Sequence, residues 1–271
     1  MLDLMNEVSN ATNDKLFLAI AGCSGAGKSS AAGTSPGKTL YLHTASESHG
    51  VSTARASGGD ILAITIDRDK TGKDLSPDEA FKRGLEILKP EVLKKAGIES
   101  VVLDGLTELE KIVRATTKWS NLCLAEKSGK HNSFAEGPST IALMDEYMKA
   151  LRAAQEQAGV HVIVTCILDV QAVSDNGAVE MAKPRLSGYA VAEGMLQQFA
   201  DILVVGRVKD KTGKSGHFFQ TGSDVQRVSK DLDGTVKKFI NFSPRLSGVR
   251  DLPAFIKADV KEVIKLKTGA K

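Results

Sequence analysis

The sequence predicts an α/β fold: a mostly parallel, twisted sheet flanked by helices, with antiparallel strands at its C-terminal end. Three observations carry that expectation. Lys15 to Ala21 (KLFLAIA) is a strand-length apolar run that leads straight into Gly22-Cys23-Ser24-Gly25-Ala26-Gly27-Lys28-Ser29. Ser100 to Asp104 (SVVLD) is a second apolar run that ends in a carboxylate. Between and after them, further apolar runs alternate with helical patterns, as they do where strands lie parallel.

At 271 residues with 42% hydrophobic side chains, the chain can bury one large core, so the expected organisation is an N-terminal arm over 1–14 and a single domain over 15–271. The formal charge of +3 is too small to demand or exclude a polyanionic partner. Cys23, Cys123 and Cys166 form an odd, scattered set, which argues against a disulfide framework or a zinc site and for a reducing compartment, the cytoplasm by default. No apolar run approaches the roughly 20 residues of a membrane span, so a soluble protein with no membrane partner is expected.

Two glycines five apart followed by Lys-Ser, behind a buried strand and at the start of a helix, make a P-loop. Glycines let the backbone curl around phosphate oxygens and aim successive N–H groups at them. The stretch Gly22, Cys23, Ser24, Gly25, Ala26, Gly27, Lys28, Ser29 and Ser30 is therefore expected to hold ATP, with Lys28 on the β- and γ-phosphates and Ser29 on Mg²⁺.

The rest follows in order. Leu2, Met5 and Val8 suit either a short amphipathic helix in the arm or a frayed end. Thr39 to Ala45 reads as the second strand, with Glu47 just beyond its end, and Ile61 to Ile66 as the third. Pro77 suits the first turn of a helix running to about Leu88. Asp104 ends the Walker B strand and is expected to hold Mg²⁺ through water, ahead of a helix from Leu106 to about Trp119. Glu126 to Ser139 lacks periodicity and reads as a mobile loop; Thr140 to Gln157 is a long helix, and His161 to Leu168 a buried strand whose Thr165 and Cys166 are candidates to sense the γ-phosphate. Asp169 to Gly188 reads as a second polar loop, Val191 to Phe199 as a helix, and Asp201 to Arg207 as a strand. A basic turn, Lys209 to Gly216, leads into a strand from His217; Val236 to Phe242 is the last strand, and Leu252 to Lys267 a closing helix with Lys257, Lys261 and Lys265 on one face.

This order resembles the RecA-type recombinase core, and the likeness is strongest to the phage-encoded RecA-like P-loop ATPases of the Sak group four type, which support single-strand annealing. It rests on Gly22 to Ser30, Ser46-Glu47 behind a strand, Asp104-Gly105-Leu106-Thr107-Glu108-Leu109, Pro184-Arg185-Leu186-Ser187-Gly188 before a helix, and Val228-Ser229-Lys230-Asp231. The resemblance implies that Glu47 is the catalytic carboxylate that polarises water, that Lys230 reaches a neighbouring subunit's γ-phosphate in a ring or filament, and that the two loops bind single-stranded DNA. Lys127, Lys130, Lys183 and Arg185, with His131, would then meet DNA phosphates, and Phe134 and Tyr189 are candidate stacking rings. A single-strand-binding or annealing protein is an implied partner, and a bacterial host's cytoplasm the implied location. Where RecA-type proteins carry Asn-Gln at the end of the strand after the long helix, Thr165-Cys166 stands here, and Lys230-Asp231 is followed by Leu232. A different class stays open: an ATP-binding structural switch in a virion or replication assembly, without a DNA site of its own.

Overall fold

Strands buried on both faces must be apolar at nearly every position, and β1 (Phe17–Gly22) is buried throughout. The computed structural model describes residues 15–125, 128–173, 179–196, 198–199, 201–209, 215–220, 230–231 and 255–268. The other strands are β2 (Lys38–His43), β3 (Asp60–Thr65), β4 (Ser100–Asp104), β5 (His161–Val173), β6 (Val179–Pro184), β7 (Asp201–Lys209), β8 (Ser215–Gln220), β9 (Lys230–Asp231) and β10 (Phe255–Lys257). The sheet runs β10-β8-β7-β1-β5-β4-β2-β3. From β7 to β3 every pairing is parallel, whereas β8, β9 and β10 join the C-terminal edge antiparallel. β5 lies between the P-loop strand and the Asp104 strand, so Asp104 faces the loop across one intervening strand.

Helices cover both faces. α1 (Lys28–Ala32), α2 (Ser48–Ala56) and α9 (Val260–Thr268) lie on one; α3 (Pro77–Ile87), α4 (Pro90–Ala96), α5 (Leu106–Ala115), α6 (Thr117–Leu122), α7 (Glu136–Ala153) and α8 (Tyr189–Leu196) lie on the other. The period of two along a strand divides the core: Phe17, Ala19 and Ala21 join Leu103, Leu109 and Met148, while Leu18 and Ile20 join Ala31, Val51 and Val263. α3 begins as its sequence requires, with Pro77 in the first turn and a capping box in which Glu79 N–H donates to Ser76 Oγ (3.3 Å) and Ser76 N–H to Glu79 Oε2 (2.9 Å). Among the described residues no helix is long and apolar enough to cross a membrane.

Several expectations need correction. The helix expected to run from Leu106 to Trp119 breaks at Thr116, which takes extended backbone angles and caps α6 by accepting from Trp119 N–H at 3.1 Å. The first polar loop, as far as it is described, is folded. Leu124 bridges His131, Asn132 N–H donates to Cys123 O (2.7 Å), Asn132 caps a turn over Ser133–Ala135, and α7 begins at Glu136. Polar side chains on backbone groups, which leave no apolar period, hold it. The second loop is a β-hairpin, because β5 runs on to Val173 and pairs antiparallel with β6 through a bulge. The closing helix starts only at Val260, capped by Asp259, which accepts from Lys261 N–H at 2.9 Å. Lys257 lies in β10, so it shares no helix face with Lys261 and Lys265. The expected arm, most of the basic turn after Lys209, Val228-Ser229 and the strand Val236 to Phe242 fall outside the described residues.

Trp119 is the chain's single tryptophan. It is buried, donates from Nε1 to Thr140 Oγ1 (2.9 Å), and carries the Arg114 guanidinium 5.3 Å above its ring and the His131 ring 6.1 Å away.

His161 opens β5 and accepts Leu16 N–H on Nδ1 at 3.1 Å. Burial, with Lys15 nearby, pushes its pKa down to about 4. The unfolded chain takes up this proton near the ordinary value of about 6.5, so the stability is complete above that pH and is lost as pH falls to 4, up to about 3 kcal/mol. In His161→Asn an amide oxygen can replace the acceptor without titrating. The gap in denaturant-unfolding free energy between wild type and this variant should narrow across that window; a gap independent of pH would refute the assignment.

Candidate active site

The P-loop follows from β1 and its turn. Gly25 and Gly27 take φ of 76° and 98°, the left-handed region open to glycine, so the turn can curl without a side-chain clash and hand over to α1. Lys28 folds back across it, Nζ donating to Gly22 O (3.1 Å) and Cys23 O (2.9 Å). Burial lowers its pKa, opposed chiefly by the charge of Asp104. An ammonium held by carbonyls at a desolvated turn suits the phosphate chain of a nucleotide.

Asp104, 4% exposed at the carboxyl end of β4, accepts three hydroxyls. Ser29 Oγ and Tyr41 OH donate to Oδ2, the former at 3.1 Å, and Thr165 Oγ1 donates to Oδ1. Tyr41 and Thr165 come from the two strands flanking β4, and burial followed by the Asp104 charge holds the Tyr41 phenol far above its ordinary pKa. Ser29 and Asp104 thus bring a hydroxyl and a fixed carboxylate together, donors that fit a hard divalent cation completed by phosphate oxygens and water. Thr165 points at the carboxylate and Cys166, next along the strand, into the opposite core, where burial pushes its thiol up to about 12. The two therefore form no joint γ-phosphate sensor, since alternate residues of a strand face opposite sides.

Beyond β2 the chain makes a tight turn over Ala45–Glu47 and enters α2, with Ala45 N–H donating to Asp67 Oδ1 (2.8 Å). This turn sets Glu47 at the cleft, half-buried. Burial first, then the Asp104 and Glu108 carboxylates, raise its pKa against the pull of Lys28 and Lys111. Glu108, in the first turn of α5, is itself held by Ser46 Oγ (3.1 Å) and Lys111 Nζ (2.6 Å). Together these elements line a cleft of about 390 Å³ that includes Ser24, Lys28, Glu47, Asp104, Thr165 and His217.

The cleft gathers Ser24, Gly25, Gly27, Lys28, Ser29 and Ser30 with Glu47 and Asp104. Gly22 and Cys23 serve it through the carbonyls that hold Lys28, and Ala26 is buried behind it. The residues expected at DNA are not gathered in the same way. Lys130 is exposed; Arg185 is ion-paired to Asp169, Nε at 2.7 Å and a terminal nitrogen at 2.6 Å, so its charge is already matched. Lys183 lies on β6 opposite Asp169 and Lys230 on β9 opposite Ile202; their side chains, and that of Tyr189, fall outside the described residues, as does Lys127 altogether. Sequence reasoning gave no role to Tyr41, Glu108, Glu110 or His217. Glu110 is buried and accepts Ser187 N–H (2.8 Å), while Thr107 Oγ1 donates to Arg185 O (3.0 Å), so α5 anchors the exit of the β5–β6 hairpin. The only sequence signal for Glu108 was its place in the DGLTEL stretch, an acid-bearing first turn after the Walker B strand, and Glu110 lies just past that stretch.

The strand order, the glycine turn between β1 and α1, and Asp104 at the end of β4 give an α/β fold with a mostly parallel sheet, in which a P-loop sequence and the carboxylate of a neighbouring strand end meet at one cleft. No family model matches the sequence, and a comparison with curated proteins finds no match. Among solved structures the chain is similar to a prototypical ATPase of the type III secretion system of pathogenic bacteria, at 15% identity and a TM-score of 0.43 over 71% of this chain. It covers 52% of that ATPase, about half its length.

Proposed function

We propose that this protein binds and hydrolyses ATP and acts on single-stranded DNA in phage recombination or annealing. The observation that carries the ATPase reading is the meeting of Lys28, Ser29, Asp104 and Glu47 in one cleft. Bound Mg²⁺ would supply neutralisation of the phosphate charge that grows in the transition state. Loop N–H groups and Lys28 hold the phosphates; Ser29 and Asp104 hold the metal, the latter fixed by Tyr41 and Thr165. Glu47 orients the attacking water and accepts its proton, a task for which its raised pKa makes it a better base than an exposed carboxylate.

The DNA reading is favoured by Phe134, 92% exposed on the ordered turn before α7 and close in sequence to the exposed Lys130. A ring that bare has little packing role and suits base stacking, worth about 1–3 kcal/mol per base. ATP turnover measured with and without single-stranded DNA is the test. Stimulation is expected, with binding that weakens with salt at a log–log slope of about −0.7 per phosphate neutralised. Phe134→Ala should weaken binding about tenfold and remove the stimulation. Turnover indifferent to DNA, with no DNA retained at low salt, would favour the nucleotide-bound structural switch instead. Assembly into a ring or filament, with Lys230 completing a neighbour's site, belongs to the same proposal.

A further inference from the structure

One side chain joins the antiparallel C-terminal edge of the sheet to the phosphate loop. His217, on β8, has Nδ1 2.8 Å from the carbonyl of Ala26. A carbonyl can only accept, so Nδ1 carries the hydrogen. The ring lies against Gly27: a Cβ there would come within 2.4 Å of Nδ1 and 2.6 Å of Cγ, so the approach requires the glycine. His217 also forms part of the cleft wall with Ser24, Lys28 and Asp104.

The contact is built in from behind. His217 O accepts Ala258 N–H at 3.0 Å, and Val260 N–H donates to Thr34 Oγ1 at 2.7 Å, just past the end of α1. Ala26, Ala31 and Ala32 share a buried cluster with Phe219, Ala258, Val260 and Val263. The C-terminal elements therefore grip the loop-and-helix unit at both ends: through a side chain at the loop, and through packing and the Val260 N–H bond to the Thr34 hydroxyl behind α1. Of these, His217 meets the turn whose N–H groups must converge on an anion with a side-chain hydrogen bond.

We propose that His217 is a positioning residue for phosphate binding: its Nδ1–H bond to Ala26 O and its ring against Gly27 hold the P-loop in its anion-binding shape. The inference rests on the cleft being a nucleotide site. It predicts that the phosphate part of the ligand senses this histidine and that the nucleoside part does not.

Asn and Gln separate the role from general packing. The amide nitrogen of Asn reaches the place of Nδ1 and can restore the bond to Ala26, while that of Gln reaches the place of Nε2 and cannot. Binding of ATP, ADP and pyrophosphate to the full chain would be measured by calorimetry, beside thermal unfolding of each variant. His217→Ala and His217→Gln should bind all three about tenfold more weakly, the effect of one lost hydrogen bond, and His217→Asn should stay within about threefold of wild type. Wild-type affinity in the Ala variant overturns the proposal, and so does an Asn variant no better than Gln. A loss of ATP and ADP affinity with pyrophosphate unaffected overturns it as well, since the contact would then be to the nucleoside. Failure of wild type itself to bind any of the three would instead sink the nucleotide site.

Discussion

Lys28→Ala is expected to abolish measurable ATP turnover and to weaken nucleotide binding steeply. The phosphate chain then meets a turn whose N–H groups remain but whose positive charge is gone. Removal of a preorganised charge from a desolvated site costs about 10² or more in rate. The fold should tolerate the change, because the Lys28 ammonium bonds to the Gly22 and Cys23 carbonyls, which water can reach once the side chain is removed, and it fills no part of the apolar clusters. Unfolding midpoints close to wild type, together with lost binding of a fluorescent ATP analogue, are the expected pair of results. Normal turnover in this variant would remove the basis for the whole functional reading.

Glu47→Gln should behave differently: nucleotide affinity kept, turnover lowered by about 10² or more through loss of the general base. Burial and the Asp104 and Glu108 carboxylates hold the Glu47 carboxyl above the usual glutamate range, opposed by Lys28 and Lys111. Its base form is therefore lost at a higher pH than for an exposed glutamate, so wild-type kcat/KM should fall as pH drops through that raised value. The residual activity of the Gln variant should lack this limb. Unchanged turnover, or the same acid limb in both proteins, would assign water activation to another group, and Glu108 is a further glutamate that lines the cleft.

The parallel core was legible because its chemistry is local. A strand buried on both faces must be apolar, and a phosphate turn must be glycine-rich, so β1, β4, Gly22 to Ser29 and the Asp104 strand end could be read without tertiary information. What could not be read depends on register and on contacts between distant segments. Tyr41 and Thr165 are ordinary strand residues until β2 and β5 are set on either side of β4, when their hydroxyls meet one carboxylate. His217 is separated from Ala26 by most of the chain, and only the antiparallel return of β8 brings it to the loop. The hairpin of β5 and β6 did leave a signal, apolar and polar residues alternating from Leu168 to Ala172 and from Val179 to Met181 around Asn176-Gly177, but so many polar residues there also suit a loop. The break at Thr116 was hidden for another reason: a threonine can cap a helix as readily as lie within one, and tertiary packing decides.

The placement of the single tryptophan gives the molecule an optical reporter of its own. Trp119 carries the Arg114 guanidinium over its ring and has the His131 ring nearby, and both of those side chains bond to Glu136 at the start of α7, just after the turn that carries Phe134. Indole emission depends on nearby charge and on the mobility of adjacent groups. A nucleic acid strand seated on Phe134 or Lys130 would lie close in sequence to His131, whose ring is 6.1 Å from the indole, so the intensity and wavelength of this one fluorophore are expected to respond to it. Association kinetics can then be recorded on the native chain, with no dye attached and no second tryptophan to subtract.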